Sequence, residues 1–373
     1  MKKMKKVFLI AILFVLVVAC SSNKENGKNE EPDTDDRVAD DETHQDTETE
    51  DEIEYPDEEE FDDEEINDSE LQDDESDTEE ETIECEDVVE GMNRGLIAGT
   101  GNNELPRDFI IRFPENIGSR DKWPVVFLFH GYGDSAVNFE NFLKSEVNNI
   151  DMPFILITPV ARDDLFTFGI PPKGLDWDMI DIEDGSAEVD LFDVLLQCVD
   201  SRWGVDEERV YLSGFSAGAI TANSIALFRP EKIASVFTYS GAHFSNPDAR
   251  EALGEISGIK VSDFFSWPDF EENHNKYTQV LVSGAEGKDT WATGGFAIDF
   301  NQMADLDSQY LASLGHSVIL CDHGGGHSMS GLSKKDVVRF FLDHPAQVET
   351  SPYKSGLPEG WEDICQFVEK IQE

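Results

Sequence analysis

Ser216 sits in Gly214-Phe215-Ser216-Ala217-Gly218, after the apolar segment Val210-Tyr211-Leu212-Ser213 and before the run Ala217 to Phe228. A serine hydroxyl is a weak nucleophile at neutral pH. It needs a base within hydrogen-bond reach, an acid to orient that base, and N–H donors for negative charge on the attacked oxygen. The segment before Ser216 reads as a strand and the run after it as a helix. The two glycines permit the tight turn that thrusts a side chain up at the helix N-terminus. Free N–H groups and the helix dipole favour negative charge there, so the N–H of Ala217 is predicted to be one oxyanion donor. The second is the N–H of Tyr132 in His130-Gly131-Tyr132-Gly133, a bend after the apolar run Pro124 to Phe129, with Gly131 allowing close approach. A plain strand-to-helix turn and a generic strand-end bend are the inert alternatives.

The predicted base is His327, in Gly324-Gly325-Gly326-His327-Ser328 just past the last expected strand, Ser317 to Cys321. His323 competes, but it lies nearer the strand and suits a structural or pocket role better. His44 falls in an acidic tract, His316 and His344 flank helices, and His243 follows a strand. The acid should come after the strand Gln279 to Ser283, where both Glu286 and Asp289 are available. Asp289 is preferred because it lies further into the loop, before Thr290-Trp291; Asp299 is a third option. The bland reading of each is a solvated loop carboxylate. Serine, acid and histidine then follow one another along the chain. Trp177, Trp291 and His130 are candidate substrate-binding residues, and Trp177, Phe166, Phe168 and Trp291 are candidates to line an acyl or aromatic pocket. Aromatic residues more often belong to a core.

These groups need a scaffold, and the hydropathy pattern supplies one. Strands are expected at Asp108–Phe113, Pro124–Phe129, Phe154–Thr158, Val210–Ser213, Ala234–Ser240, Gln279–Ser283 and Ser317–Cys321. Helices are expected at Ser135–Val147, Val189–Arg202, Ala217–Phe228, Asp299–Leu314 and Lys334–Leu342, with a last one over Trp361–Ile371. Residues 160–188 read as a long loop and 244–277 as an excursion or cap. Alternation of this kind implies an α/β fold, a mostly parallel central sheet with helices on both faces.

The 373-residue chain carries a net charge of -52, unevenly placed. Residues 21–90 hold 36 acidic and 3 basic side chains, and residues 91–373 hold 44 and 21. The first stretch has too little apolar surface to offset the entropy of ordering, so a disordered acidic tether is expected over 20–90. Residues 91–373 suffice for one domain with a real core. That domain is still acidic, which argues against nucleic acid as a partner. Met1 to Lys6 is basic, Val7 to Val18 is an unbroken apolar run, and Val17-Val18-Ala19-Cys20 follows. This resembles the lipobox of bacterial lipoproteins, which implies a signal peptide over 1–19 and lipidation at Cys20. An ordinary secretory signal is the alternative. Cys85, Cys198, Cys321 and Cys365 remain, an even count that suits disulfides outside the cytoplasm. Three pairings are open, and none of the four has metal-ligand spacing.

His130-Gly131-Tyr132-Gly133-Asp134, the helix Val189 to Leu196, and Gly204 to Gly218 together resemble the polyhydroxybutyrate-depolymerase and feruloyl-esterase-like branch of the α/β hydrolases. The similarity spans about residues 105–345. It implies the α/β-hydrolase fold, a Ser216, Asp289, His327 triad and a polymeric or small ester substrate, with no metal or organic cofactor. Ala219 departs from the branch, which usually has a second glycine there, and the loop carrying the acid is longer than usual. With the lipobox, the expectation is a serine ester hydrolase anchored at the cell envelope through Cys20. A serine peptidase of the same fold and a non-catalytic glycan- or polymer-binding lipoprotein are the rival readings.

Overall fold

The structure, a computed structural model, describes residues 82–99, 104–162, 176–256, 258–293, 296–346, 348 and 350–370. Cys20, the apolar N-terminus, the acidic tract up to residue 81, Phe166 and Phe168 lie outside the described residues.

One strand precedes the expected pattern, β1 (Gly91–Ala98), and the first expected strand is β2 (Leu105–Arg112). The elements that follow are β3 (Trp123–Phe129), α1 (Ala136–Phe139), β4 (Ile155–Pro159), α2 (Ala187–Trp203), β5 (Val205–Phe215), α3 (Ala217–Phe228) and β6 (Ser235–Tyr239). A short helix α4 (Pro247–Ala252) and a small hairpin, β7 (Glu255–Ile256) with β8 (Ile259–Lys260), fill the excursion. Then come β9 (Thr278–Ser283), the hairpin β10 (Thr290–Thr293) and β11 (Phe296–Asp299), α5 (Phe300–Leu314), β12 (Ser317–Asp322), α6 (Lys334–Asp343) and β13 (Cys365–Val368).

Nine strands form one sheet in the order β1-β2-β4-β3-β5-β6-β9-β12-β13. The six from β4 to β12 run parallel, while β1, β2 and β13 are antiparallel additions at the two edges. All seven residues of β3 are buried, as a strand covered on both faces requires. Successive side chains point to opposite faces. Trp123, Val125, Phe127 and Phe129 enter a core with α2 and α3, and Val126 and Leu128 enter a second core with α6. A buried ion pair, Arg107 to Glu188 at 2.7 Å, joins β2 to the first turn of α2.

Register decides where the chemistry can happen. Phe129 pairs with Gly214, Phe215 with Tyr239, Tyr239 with Val282, and Ser283 with Asp322. The turns after β3, β5, β6, β9 and β12 therefore leave the sheet at one level, at the carboxyl ends where open α/β sheets form their crevices.

Three local expectations are corrected. The helix expected over Ser135–Val147 is one short turn, α1, followed by 3-10 turns at Glu140–Phe142 and Lys144–Glu146. Glu140 turns inward there, and Arg112 of β2 grips its carboxylate with bonds of 2.6 and 2.8 Å. The last helix is instead the edge strand β13, because Cys365 stands opposite Cys321 and is bridged to it. The ordered domain also begins before residue 91. Val88 is buried, Cys85 is bridged to Cys198 of α2, and the Arg202 guanidinium binds the carbonyls of Cys85 and Val88.

Candidate active site

Ser216 occupies the turn between β5 and α3 with φ 55° and ψ −121°, a left-handed backbone that only a tightly built turn holds in a non-glycine residue. Its flanking glycines are required by space. A Cβ on Gly214 would strike the Gly218 carbonyl, and a Cβ on Gly218 would strike the carbonyls of Phe129 and His130. The Ser216 N–H donates to the Tyr239 carbonyl at 2.9 Å. Its own carbonyl accepts from Ala219 and Ile220 at 3.0 and 3.1 Å, starting the helix. The methyl group of Ala219 is accommodated because Gly241 faces it. A Cβ at Gly241 would lie 2.9 Å from the Ala219 Cβ.

The His327 loop brings its imidazole over this turn. Nε2 lies 2.9 Å from the Ser216 Oγ, and Nδ1 lies 2.7 Å from Asp289 Oδ1. With the proton on Nδ1, the ring donates to Asp289 and accepts from the serine. Phe215 and Phe300 hold the imidazole at ring-centre distances of 4.7 Å each, Phe300 nearly parallel. Two aromatic faces fix the ring plane, and a carboxylate fixes its rotation.

Asp289 is fully buried. Its second oxygen, Oδ2, accepts from the Ser240 hydroxyl and the Gly284 N–H, both at 2.8 Å. The acid loop and the His327 loop can meet because Gly284 lacks a side chain; a Cβ there would run into the Gly325 carbonyl. Ala285 N–H donates to that same carbonyl at 2.9 Å. Glu286 is exposed on the turn. Asp299 caps α5, accepting from the N–H groups of Asn301 and Gln302. His323 stays at the base of the loop, where its Nδ1 accepts from Gly325 N–H at 3.2 Å.

Among the described residues, neither the Tyr132 nor the Ala217 N–H meets an acceptor. Ala217 opens α3, where the first N–H groups have no helical partner. Tyr132 lies on the bend after β3, close to the nucleophile turn: a Cβ on Gly131 would come within 3.0 Å of the Phe215 ring. The Tyr132 side chain is exposed and meets Trp291 edge-on at 5.9 Å. Tyr132 thus joins the bend after β3 to Trp291, two residues beyond Asp289.

Two of the expected substrate-binding residues are buried. Trp177 and His130 are each 1% exposed, packed on one another at 4.8 Å. Trp177 also meets Phe129 edge-on, so it is a core residue beneath the bend. Four side chains that shape the site were missed from sequence: Phe215, Phe300, Ser240 and Asp176. Phe215 lay inside the motif itself and Ser240 at the last position of an expected strand, which are usable signals. Phe300 and Asp176 carried none.

A phospholipase/carboxylesterase family model matches residues 117–262. Feruloyl esterase D of Neurospora crassa is 27% identical over 158 residues, 41% of this chain and 52% of that one. An oxidized polyvinyl alcohol hydrolase of a Sphingopyxis species is 25% identical over 157 residues, 39% of this chain and 43% of that one. The chain thus spans about half the length of the curated relatives it matches. The crystal structure of native pOPH covers 78% of this chain and 98% of its own, with a TM-score of 0.56 at 19% identity. The sheet order, its covering helices and this likeness give one result: the chain has the α/β-hydrolase fold.

Proposed function

We propose that this α/β-hydrolase domain is a serine ester hydrolase that works through an acyl-enzyme. The observation that carries the reading is the unbroken chain of contacts from Ser216 Oγ through His327 to Asp289, at 2.9 and 2.7 Å. Ser216 attacks the acyl carbonyl as His327 Nε2 takes its proton. The buried Asp289 holds the ring in the required tautomer and stabilises the imidazolium. The N–H groups of Ala217 and Tyr132 receive the oxyanion. His327 then protonates the leaving alcohol, and a water deprotonated by the same nitrogen releases the carboxylic acid.

Ester substrates are favoured by the feruloyl esterase and polyvinyl alcohol hydrolase relatives, and the pair formed by exposed Tyr132 and half-buried Trp291 suits an apolar or aromatic acyl group. The N-terminal pattern ending at Cys20 supports anchoring at the cell envelope, with the acidic tract as a spacer. A fluorophosphonate probe tests the chemistry: it should form an adduct at Ser216 in folded protein and none in S216A. Folded wild type that stays unlabelled would sink the reading. A panel of p-nitrophenyl esters and peptide anilides assigns the bond, with turnover expected on the esters. For the anchor, a radiolabelled fatty acid should enter the wild type and not C20A.

A further inference from the structure

Among the described residues, three non-glycine residues hold a positive φ: Asp176, Ser216 and Ser240. Such backbone strain persists only where its surroundings over-determine it, and it gathers at functional sites. Ser216 is the nucleophile turn, and Ser240 holds the acid through its hydroxyl. Asp176 is the third, at φ 63°.

Its carbonyl accepts from the Arg162 N–H at 3.1 Å, and its side chain reaches the bend that carries the Tyr132 N–H. Asp176 is 3% exposed, and its Oδ2 accepts from the Gly133 N–H at 2.6 Å. The next residue, Trp177, donates from Nε1 to the His130 carbonyl at 3.0 Å. One dipeptide therefore grips the bend on both sides of Tyr132, at the carbonyl before it and the N–H after it. The bend needs this. Gly131 and Gly133 flank Tyr132, Gly133 is itself at φ 75°, and glycines leave a turn many conformations. An oxyanion donor is effective only when it is already aimed. The carboxyl of Asp176 also occupies the Gly133 N–H, so Tyr132 is the donor left open.

We propose that Asp176, backed by Trp177, is the positioning residue of the oxyanion site: it fixes the His130–Gly133 bend so that the Tyr132 N–H faces the developing oxyanion. This deepens, and rests on, the ester-hydrolase reading above.

The test compares D176G, D176N and W177F with wild type on p-nitrophenyl acetate. Glycine accepts the left-handed backbone but removes the acceptor, which separates strain from hydrogen bonding. Asparagine keeps an acceptor oxygen and tolerates the same φ. D176G should lower kcat about 10- to 100-fold, less than or comparable to loss of a whole oxyanion donor, with KM within about threefold. D176N should restore most of that loss. A trifluoromethyl ketone, which places an oxyanion in the site when Ser216 adds to it, should bind D176G more weakly by a similar factor. If D176G does not fold, W177F, which keeps most of the ring and loses one bond, should show the same pattern at about 3- to 10-fold. Wild-type kcat in D176G, or lost kcat with undiminished ketone binding in either variant, would overturn the proposal. Wild type that neither takes a fluorophosphonate nor turns over the ester overturns the underlying reading, a different result from active wild type with an indifferent Asp176.

Discussion

The hydroxyl of Ser240 lies 2.8 Å from Asp289 Oδ2, the carboxylate oxygen that His327 does not use. Ser240 adopts φ 50° and donates its own N–H to the Val282 carbonyl at 2.7 Å, so β6 and β9 together present that hydroxyl. Without it, Oδ2 keeps only the Gly284 N–H. A hydrogen bond to a charged group contributes roughly 1.5–3 kcal/mol. If part of that is felt in the orientation of His327, S240A and S240G should both lose about tenfold in kcat on a p-nitrophenyl ester. Because glycine relaxes the left-handed backbone, S240G should also melt at a higher temperature than S240A. Equal kcat in wild type and both variants would show that Gly284 alone suffices.

Asp289 and Glu286 sit three residues apart in one loop, and the structure separates them by burial. D289N should cut kcat by about 10³- to 10⁴-fold, because the imidazole loses the partner that sets its tautomer. E286Q, at an exposed turn position, should stay within about twofold of wild type. Steady-state kinetics on the same ester decide this, and a large loss in E286Q would contradict the geometry.

That pair also shows what sequence could and could not disclose. The parallel sheet was legible because β3, β4, β9 and the Val210–Ser213 part of β5 are short, buried, largely apolar runs separated by helical stretches. Ser216 stood out because the steric demand for Gly214 and Gly218 is written into neighbouring positions. The preference for Asp289 over Glu286 rested only on its place further into the loop, a weak signal. What decides it is the close approach of Gly284 to the Gly325 carbonyl, a contact between loops 41 positions apart in the numbering. Trp177 shows a related limit: an aromatic beside a candidate cleft has the same local pattern whether it lines the cleft or props its floor. β13 failed because a disulfide partner 44 residues away, not local helical propensity, sets its conformation.

The two disulfides should differ in what they do. Cys85–Cys198 spans 113 residues and ties the start of the domain to α2, away from the triad. Cys321–Cys365 spans 44 residues and holds β13 against β12, immediately before the loop that carries His327. The Asp322 N–H donates to the Ile364 carbonyl at 2.8 Å, which reinforces the same junction. Replacing either pair by alanine should cost roughly 2–4 kcal/mol of stability. Only C321A/C365A should also lower kcat, by several-fold at a temperature where both variants remain folded. Denaturant titration and kinetics at that temperature check both halves of the expectation.

Acid should destabilise this domain through histidines that are buried in the neutral form. Burial pushes His243 down to about 3 and His344 down to about 4, and it holds His316 well below its ordinary range. The neutral ring of His344 is satisfied at both nitrogens: it donates from Nδ1 to the Phe340 carbonyl, and its Nε2 accepts from the Ser351 hydroxyl at 2.6 Å. A histidine whose folded pKa is depressed binds its proton first in the unfolded chain. Its contribution is complete above about pH 6.5 and is lost as pH falls towards the folded value. Asp307 works in the opposite direction, because burial raises its carboxyl to about 8 and the folded state then keeps a proton the unfolded chain gives up. Three histidines outweigh one carboxyl between pH 6.5 and 4, so net stability should fall across that window. For His344 alone, a shift from 6.5 to about 4 is worth about 2 kcal/mol at pH 5. Urea midpoints measured at pH 7.5 and 5.0 should drop for wild type and drop less for H344Q. An unchanged pH dependence in H344Q would mean that the ring is not held neutral in the folded protein.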